Sequence, residues 1–163
     1  MTTPPYSLFI GRFQPFHLGH LKDIQDIIAQ NENVLIALGS ANKEREPQNP
    51  LTVAERQKII IAVLNAVQIS PSKYLISSIE DIDKDDQWVQ HCIDNLPPFN
   101  KVYTGSSHVS RLFKQDGHFP VIPVNFLEDI TATQIRAQIK KGQTTWEKMV
   151  HPAAVELIKT YLN

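Results

Sequence analysis

The chain has 163 residues, 42% of them hydrophobic and 20% charged, with a formal net charge of −1. That length suits one compact domain, read as 1–163, which can bury about 68–70% of its unfolded surface without a covalent staple. With 16 basic and 17 acidic residues there is no global field to draw in nucleic acid, so any anion site must be local.

Tyr6 to Ile10 is a short, mostly apolar run ending at Gly11 and reads as a buried strand. Leu18, Leu21, Ile24, Ile27 and Ile28 then recur at helical spacing. Val34 to Leu38 repeats the strand pattern and ends at Gly39, completing a unit of βαβ size. Ala41 to Leu51 is polar, carries two prolines and reads as a loop. Thr52 and Glu55 fit a capping box, which predicts a helix to about Val67. Tyr74 to Ile79 is a third strand, Glu80 to Asp85 an acidic loop, and Asp86 to Asn95 a helix stopped before Pro97-Pro98. Lys101 to Thr104 is a fourth strand closed by Gly105, and Ser107 to Gln115 a short helix. Val121 to Val124 is a weaker fifth strand containing Pro123. Thr131 and Gln134 fit a second capping box, opening a helix to about Lys141. A last amphipathic helix spans about 152–162.

Strands alternating with helices predict an α/β fold: a doubly wound, Rossmann-like parallel sheet in a single domain. Ligands of such folds bind beyond the carboxyl ends of the strands, at the switch point. The unusual residues fall there: Arg12 to His20 after the first strand, Ser40 onward after the second, Asp81 and Asp83 after the third, Gly105 and Ser106 after the fourth. A lone cysteine, Cys92, closes no internal disulfide and favours a reducing, cytoplasmic compartment. The amino terminus shows no basic region followed by a long apolar run, and no apolar stretch approaches a membrane span. Neither nucleic acid nor membrane is therefore an expected partner.

The chain has no G-x-x-x-x-G-K-[ST], which sets aside a P-loop, and no G-x-G-x-x-G after the first strand, which sets aside a dinucleotide cradle. Instead an arginine is followed by His17 and His20, three apart with Gly19 between, at the start of a helix. Residues so spaced share a helical face. Helix N-termini favour anions, and glycine lets a ligand approach the backbone. Two imidazoles and a guanidinium added there suit a polyphosphate. Zinc is disfavoured, because the helical zinc motif needs i, i+4 histidines and a glutamate, and no cluster of cysteines or carboxylates adds ligands.

Gly11-Arg12-Phe13-Gln14-Pro15-Phe16-His17-Leu18-Gly19-His20 resembles the H-x-G-H signature of the nucleotidylyltransferase superfamily. Thr131-Ala132-Thr133-Gln134-Ile135-Arg136 resembles its second signature, I-S-S-T-x-x-R, with two conservative departures. The G-R-F-Q-P-F-H opening is similar to that of the archaeal-type nicotinamide mononucleotide adenylyltransferases. The resemblance implies transfer of AMP from ATP to nicotinamide mononucleotide, giving NAD and pyrophosphate, with Mg²⁺ held mainly by the ATP phosphates. It implies that His17, His20, Arg12 and Arg136 are catalytic, binding phosphate oxygens. Gly11, Phe13, Gly19, Gly105, Ser106, Thr131 and Thr133 would line the ATP side. Gly39, Ser40, Asp81 and Trp88 would line the mononucleotide side, with Trp88 stacking on the nicotinamide ring. Thr131 doubles as a helix cap. The arginine that archaeal-type enzymes place before the Asn/Asp-Pro pair is Gln48 here, and Arg45 is the candidate to replace it. A homo-oligomer is implied by resemblance alone. Adenylyl or cytidylyl transfer to another acceptor, and a non-catalytic nucleotide sensor, stay open as alternatives. The choice between nicotinamide and nicotinic acid mononucleotide also stays open.

Overall fold

A computed structural model describes residues 5–124, 127 and 129–163. Five parallel strands, β1 (Tyr6–Gly11), β2 (Val34–Leu38), β3 (Tyr74–Ser78), β4 (Phe99–Thr104) and β5 (Val121–Pro123), form a sheet in the order β3-β2-β1-β4-β5. The chain winds outward from β1 to β3, then crosses back to place β4 on the other side of β1. The strand order therefore reverses between β1 and β4, which is the switch point expected from the pattern.

Among the described residues six helices cover the sheet: α1 (Leu18–Ala29), α2 (Val53–Ala66), α3 (Trp88–Asn95), α4 (Ser107–Asp116), α5 (Ala132–Lys140) and α6 (Pro152–Leu162). Alternation along the strands sorts the core into two layers. Phe9, Ile36, Leu38 and Tyr103 face α1, α2, α5 and α6 through Ile24, Ile27, Ile59, Val63, Ile135 and Ile158. Leu8, Ile10, Leu35 and Val102 face α3 and α4 through Trp88, Val89, Cys92, Leu112 and Phe113. All five residues of β2 are buried, as expected of a strand covered on both faces.

Both expected capping boxes form, at Thr52 with Glu55 and at Thr131 with Gln134. Pro123 is tolerated because β5 is an edge strand, where a missing N–H breaks no inner ladder. Among the described residues three 3₁₀ turns occur, Pro71–Lys73 and Thr145–Met149 in stretches that periodicity alone leaves blank and Asp85–Gln87 at the start of the expected third helix. The last means that α3 begins at Trp88 rather than Asp86.

Candidate active site

A cleft of about 610 Å³ opens at the carboxyl ends of the strands. Of the residues singled out from the sequence, Gly11, Arg12, Phe13, His17, Gly19, His20, Gly39, Ser40, Asp81, Trp88, Gly105, Ser106, Thr131, Thr133 and Arg136 all line it. Arg45 does not. Its guanidinium pairs with Glu55 and donates to the Pro50 carbonyl, which holds it within its own loop. Gln48 instead reaches the cleft's edge, its Oε1 3.5 Å from Arg12 Nη1.

The two histidines cap α1 reciprocally. His17 Nδ1 accepts from the Gly19 N–H at 3.1 Å, and His20 Nδ1 accepts from the His17 N–H at 3.2 Å. An Nδ1 that accepts carries no proton, so each neutral ring bears its hydrogen on Nε2. Burial pushes the His17 pKa down to about 4, and burial followed by the charge of His17 pushes His20 well below its ordinary value. The rings stack at 3.7 Å between centroids, and Phe13 packs its edge on His20 at 4.8 Å. The pair therefore offers two neutral Nε2–H donors fixed in orientation by backbone.

Gly19 acts differently from its sequence reading. A Cβ there would lie 2.9 Å from His17 Cε1 and 3.0 Å from Nδ1. The missing side chain makes room for the capping imidazole.

Positive charge comes from two guanidiniums. Arg136 Nη1 donates to the Gln14 carbonyl at 2.9 Å and Nη2 lies 3.4 Å from Thr133 Oγ1, so α5 and the loop after β1 aim it together. Burial and then neighbouring Arg12 lower its pKa, yet an arginine in a protein keeps its charge. Neither Arg12 nor Arg136 meets a carboxylate among the described residues. Two unneutralised guanidiniums on one cleft are a site for an anion.

On the β2–β3 side, Ser40 Oγ donates to Asp81 Oδ2 at 2.8 Å and Lys43 Nζ lies 3.3 Å from the same oxygen. Trp88 is 8% exposed and its Nε1 has no partner among the described residues. On the β4 side, Ser106 caps α4, its Oγ accepting from the Val109 N–H. Phe13 and Ser40, directly after β1 and β2, both have φ of +51°, a left-handed conformation unusual for such residues.

Three contributors escape a sequence reading. Gln14 is 1% exposed and its amide bonds both N–H and carbonyl of Leu51, at 2.9 and 3.0 Å. Arg56 is wholly buried and Nη1 donates to the carbonyls of Arg12 and Gly39, at 2.8 and 2.7 Å. These two side chains tie the loops after β1 and β2 together beneath the cleft. The third, Asp23, lies on the cleft wall. No group of three His, Cys, Asp or Glu side chains able to hold a metal occurs among the described residues. A divalent cation in this cleft would rest on phosphate oxygens and waters, a mode that suits Mg²⁺.

A family model described as cytidylyltransferase-like matches residues 8–138. The nicotinamide-nucleotide adenylyltransferase of Pyrococcus horikoshii is 38% identical over 154 residues, covering 94% of this chain and 82% of the relative. That of Thermococcus kodakarensis is 33% identical over 154 residues, covering 94% and 81%. Among solved structures, a bifunctional NMN adenylyltransferase/ADP-ribose pyrophosphatase from Francisella tularensis, complexed with AMP and a manganese ion, superposes with a TM-score of 0.74. It is 25% identical, and the match covers 97% of this chain but 49% of that protein, so this chain spans about half its length. A Plasmodium falciparum nicotinic acid mononucleotide adenylyltransferase shares the fold across 99% of both chains, with a TM-score of 0.65 at 13% identity.

Proposed function

Because the chain belongs to the cytidylyltransferase-like family, and its relatives at 33–38% identity are nicotinamide-nucleotide adenylyltransferases, we propose that it transfers AMP from ATP to nicotinamide mononucleotide. The observation that carries this reading is the pairing of two oriented Nε2–H donors with two unneutralised guanidiniums in one cleft.

In this reaction the phosphate oxygen of the mononucleotide attacks the α-phosphorus of ATP. A new P–O bond forms, the bond to the bridging oxygen breaks, and pyrophosphate leaves with the electron pair. The attacking phosphate has a second pKa near 6 and is already ionised at neutral pH, so no general base is needed. What opposes reaction is the meeting of two anions and the demand for in-line geometry. The chain answers with positioning and preorganised charge. His17 and His20 donate to phosphate oxygens, with His20 nearest the reacting centre. Arg12 and Arg136 hold the triphosphate and gather charge as it moves onto the leaving group. The amino end of α5 adds its own N–H groups. Ser40, Asp81 and Trp88 receive the mononucleotide, Trp88 offering a ring face to the nicotinamide. Magnesium is the cation of this reading and shares the phosphate charge when bound. The bifunctional Francisella protein is itself complexed with a manganese ion, which is in keeping with the use of a divalent ion.

The protein is taken as a homo-oligomer on the strength of its resemblance to the archaeal-type enzymes, and as cytoplasmic on its lone cysteine. No helix among the described residues is long and apolar enough to cross a membrane. Incubating the protein with ATP, Mg²⁺ and a panel of acceptors, with products identified by mass, tests the assignment. NAD from nicotinamide mononucleotide is the expected product. Adenylation of a different acceptor overturns the acceptor assignment, and ATP binding with no transfer to any acceptor points to a nucleotide sensor.

A further inference from the structure

Asp23 stands one turn beyond His20 on α1 and is 8% exposed. It lines the same cleft as the catalytic histidines. Its carboxyl group has no hydrogen-bond or ion-pair partner among the described residues. Lys22 is turned to Asp26, 2.8 Å away, and so neutralises that residue rather than Asp23. The Asp23 oxygens are not among the fully buried unpartnered atoms, so in the free protein they keep some contact with the solvent of the cleft. Where such a group faces a cleft, a ligand can supply the missing partner.

The fold says which part of the ligand this is. Ile24 and Ile27 of α1 share one core layer with Ile135 of α5, whereas Trp88 belongs to the layer across the sheet. Asp23 therefore lies on the α1 and α5 side of the cleft, one turn from His20 and on the side of Thr131 and Thr133, while Gly105 and Ser106, which line the ATP side as well, open α4 across the sheet, so the nucleotide is taken to span both sides. Burial first, then Asp26, drive its pKa up to about 7 against the opposing pull of Lys22. A carboxyl whose pKa is raised to near neutrality carries less charge beside a polyphosphate than an ordinary carboxylate does, and either protonation state accepts a hydrogen bond.

We propose that Asp23 is a specificity-determining residue of the nucleotide half of the cleft, accepting a hydrogen bond from a donor on the nucleoside of ATP. The assignment rests on the adenylyl-transfer reading. Two donors have this chemistry, a ribose hydroxyl and the purine amino group, and substrate analogues separate them.

The experiment is steady-state NAD synthesis by wild type, Asp23→Asn and Asp23→Ala, with ATP, 2′-deoxy-ATP, 3′-deoxy-ATP and inosine triphosphate. ATP affinity is measured independently by calorimetry. Asp23→Ala is expected to raise KM and Kd for ATP about tenfold, the scale of one neutral hydrogen bond, with KM for the mononucleotide unchanged. Asp23→Asn, which keeps a carbonyl acceptor, should stay within about threefold of wild type. The analogue lacking the contacted donor should cost wild type the same factor and cost Asp23→Ala nothing more. Equal losses with all four nucleotides, a loss confined to the mononucleotide, a changed requirement for divalent metal, or unchanged affinity in a folded Asp23→Ala each overturn the proposal. If wild type forms no NAD yet the calorimetric cycle behaves as described, the acceptor assignment fails and the role of Asp23 stands.

Discussion

Replacing Gly19 with alanine separates catalysis from stability, and the size of the effect follows from two opposing terms. The new Cβ would press on the His17 ring at 2.9 and 3.0 Å, distances that real Cβ contacts do not show. The ring is rigid and is held by the Gly19 N–H itself, so relief means turning the imidazole and giving up that 3.1 Å bond. Losing an N-cap costs about 1 kcal/mol. Alanine in place of glycine in a helix returns up to about 1 kcal/mol. The terms nearly cancel, so the thermal midpoint should move by no more than about 4 °C. The catalytic term has no such compensation. His17 Nε2–H is moved off its aim, and displacement of a positioned group by about 1 Å costs on the order of 10² in rate. The assay pairs circular-dichroism melting with NAD formation followed by a coupled dehydrogenase. Wild-type turnover in the folded variant would refute the capping argument. So would a fall in the midpoint beyond about 10 °C, because the ring would then be holding the helix rather than the substrate.

Three further outcomes follow from the same geometry. His20→Ala should fold and lose about 10²-fold or more in kcat, the scale of one preorganised donor, and unchanged turnover by the same assay removes it from the catalytic set. Trp88→Ala should weaken mononucleotide binding while leaving ATP affinity within about twofold, since Trp88 lines the wall away from α5; a titration with unaltered mononucleotide affinity counts against stacking. Although the depressed His17 and His20 pull the other way over the same range, Asp23 by itself should make the nucleotide-free protein lose stability as pH rises from about 4 to 7, because unfolded Asp23 ionises near 3.8 while the folded carboxyl keeps its proton to about 7. That penalty is on the order of a few kcal/mol at pH 8. The stability of Asp23→Asn relative to wild type should grow with pH in melts between pH 5 and 8, and parallel curves for the two proteins would show that Asp23 contributes nothing to the dependence.

The fold was largely legible because its signals are local. Glycine-bounded apolar runs, i, i+3, i+4 periodicity and the Thr52 and Thr131 capping boxes each sit within a few residues of what they specify. Their alternation then dictated a doubly wound parallel sheet, while the strand order that puts its switch point between β1 and β4 came from the structure. Much of the cleft lining was legible for the same reason, since strand ends are fixed once strands are. The interactions that give the cleft its shape were not. Gln14 bonds to Leu51 and Arg56 to Arg12 and Gly39, across 37, 44 and 17 residues, and nothing in a local pattern encodes such a pairing. The reciprocal histidine cap was hidden because imidazole is not among the usual capping side chains, and so Gly19 was read as an approach for ligand rather than space for a ring. Asp23 was passed over because a periodicity count registers Leu21, Ile24 and Ile27 and treats an intervening aspartate as solvated. Arg45 misled in the opposite way: an arginine near the missing loop arginine had a partner, Glu55, ten residues along.

Several features that a stability argument would remove lie at the carboxyl edge of the sheet, although Asn31 and Gln68 hold positive φ in loops at its other end and Asn49 Oδ1 is also buried without a partner among the described residues. Phe13 and Ser40 hold positive φ at the ends of β1 and β2, each costing on the order of 1–3 kcal/mol. Arg56 leaves Nε and Nη2 unpartnered in the interior, and Trp88 leaves Nε1 so, among the described residues. Asp23 adds an unanswered carboxyl and His17 and His20 two desolvated rings. The two core layers beneath are aliphatic and aromatic and contain no comparable cost. Asn31 and Gln68 need their own, turn-level explanation, whereas the features at the carboxyl edge do not. Gathered around one cleft, they have a common one: a bound polyphosphate supplies acceptors for the Nε2–H groups and charge for the guanidiniums, and the nucleoside supplies a donor for Asp23. Ligand binding should therefore stabilise the fold by more than its contact area suggests, because it satisfies groups that the free protein has already paid to bury.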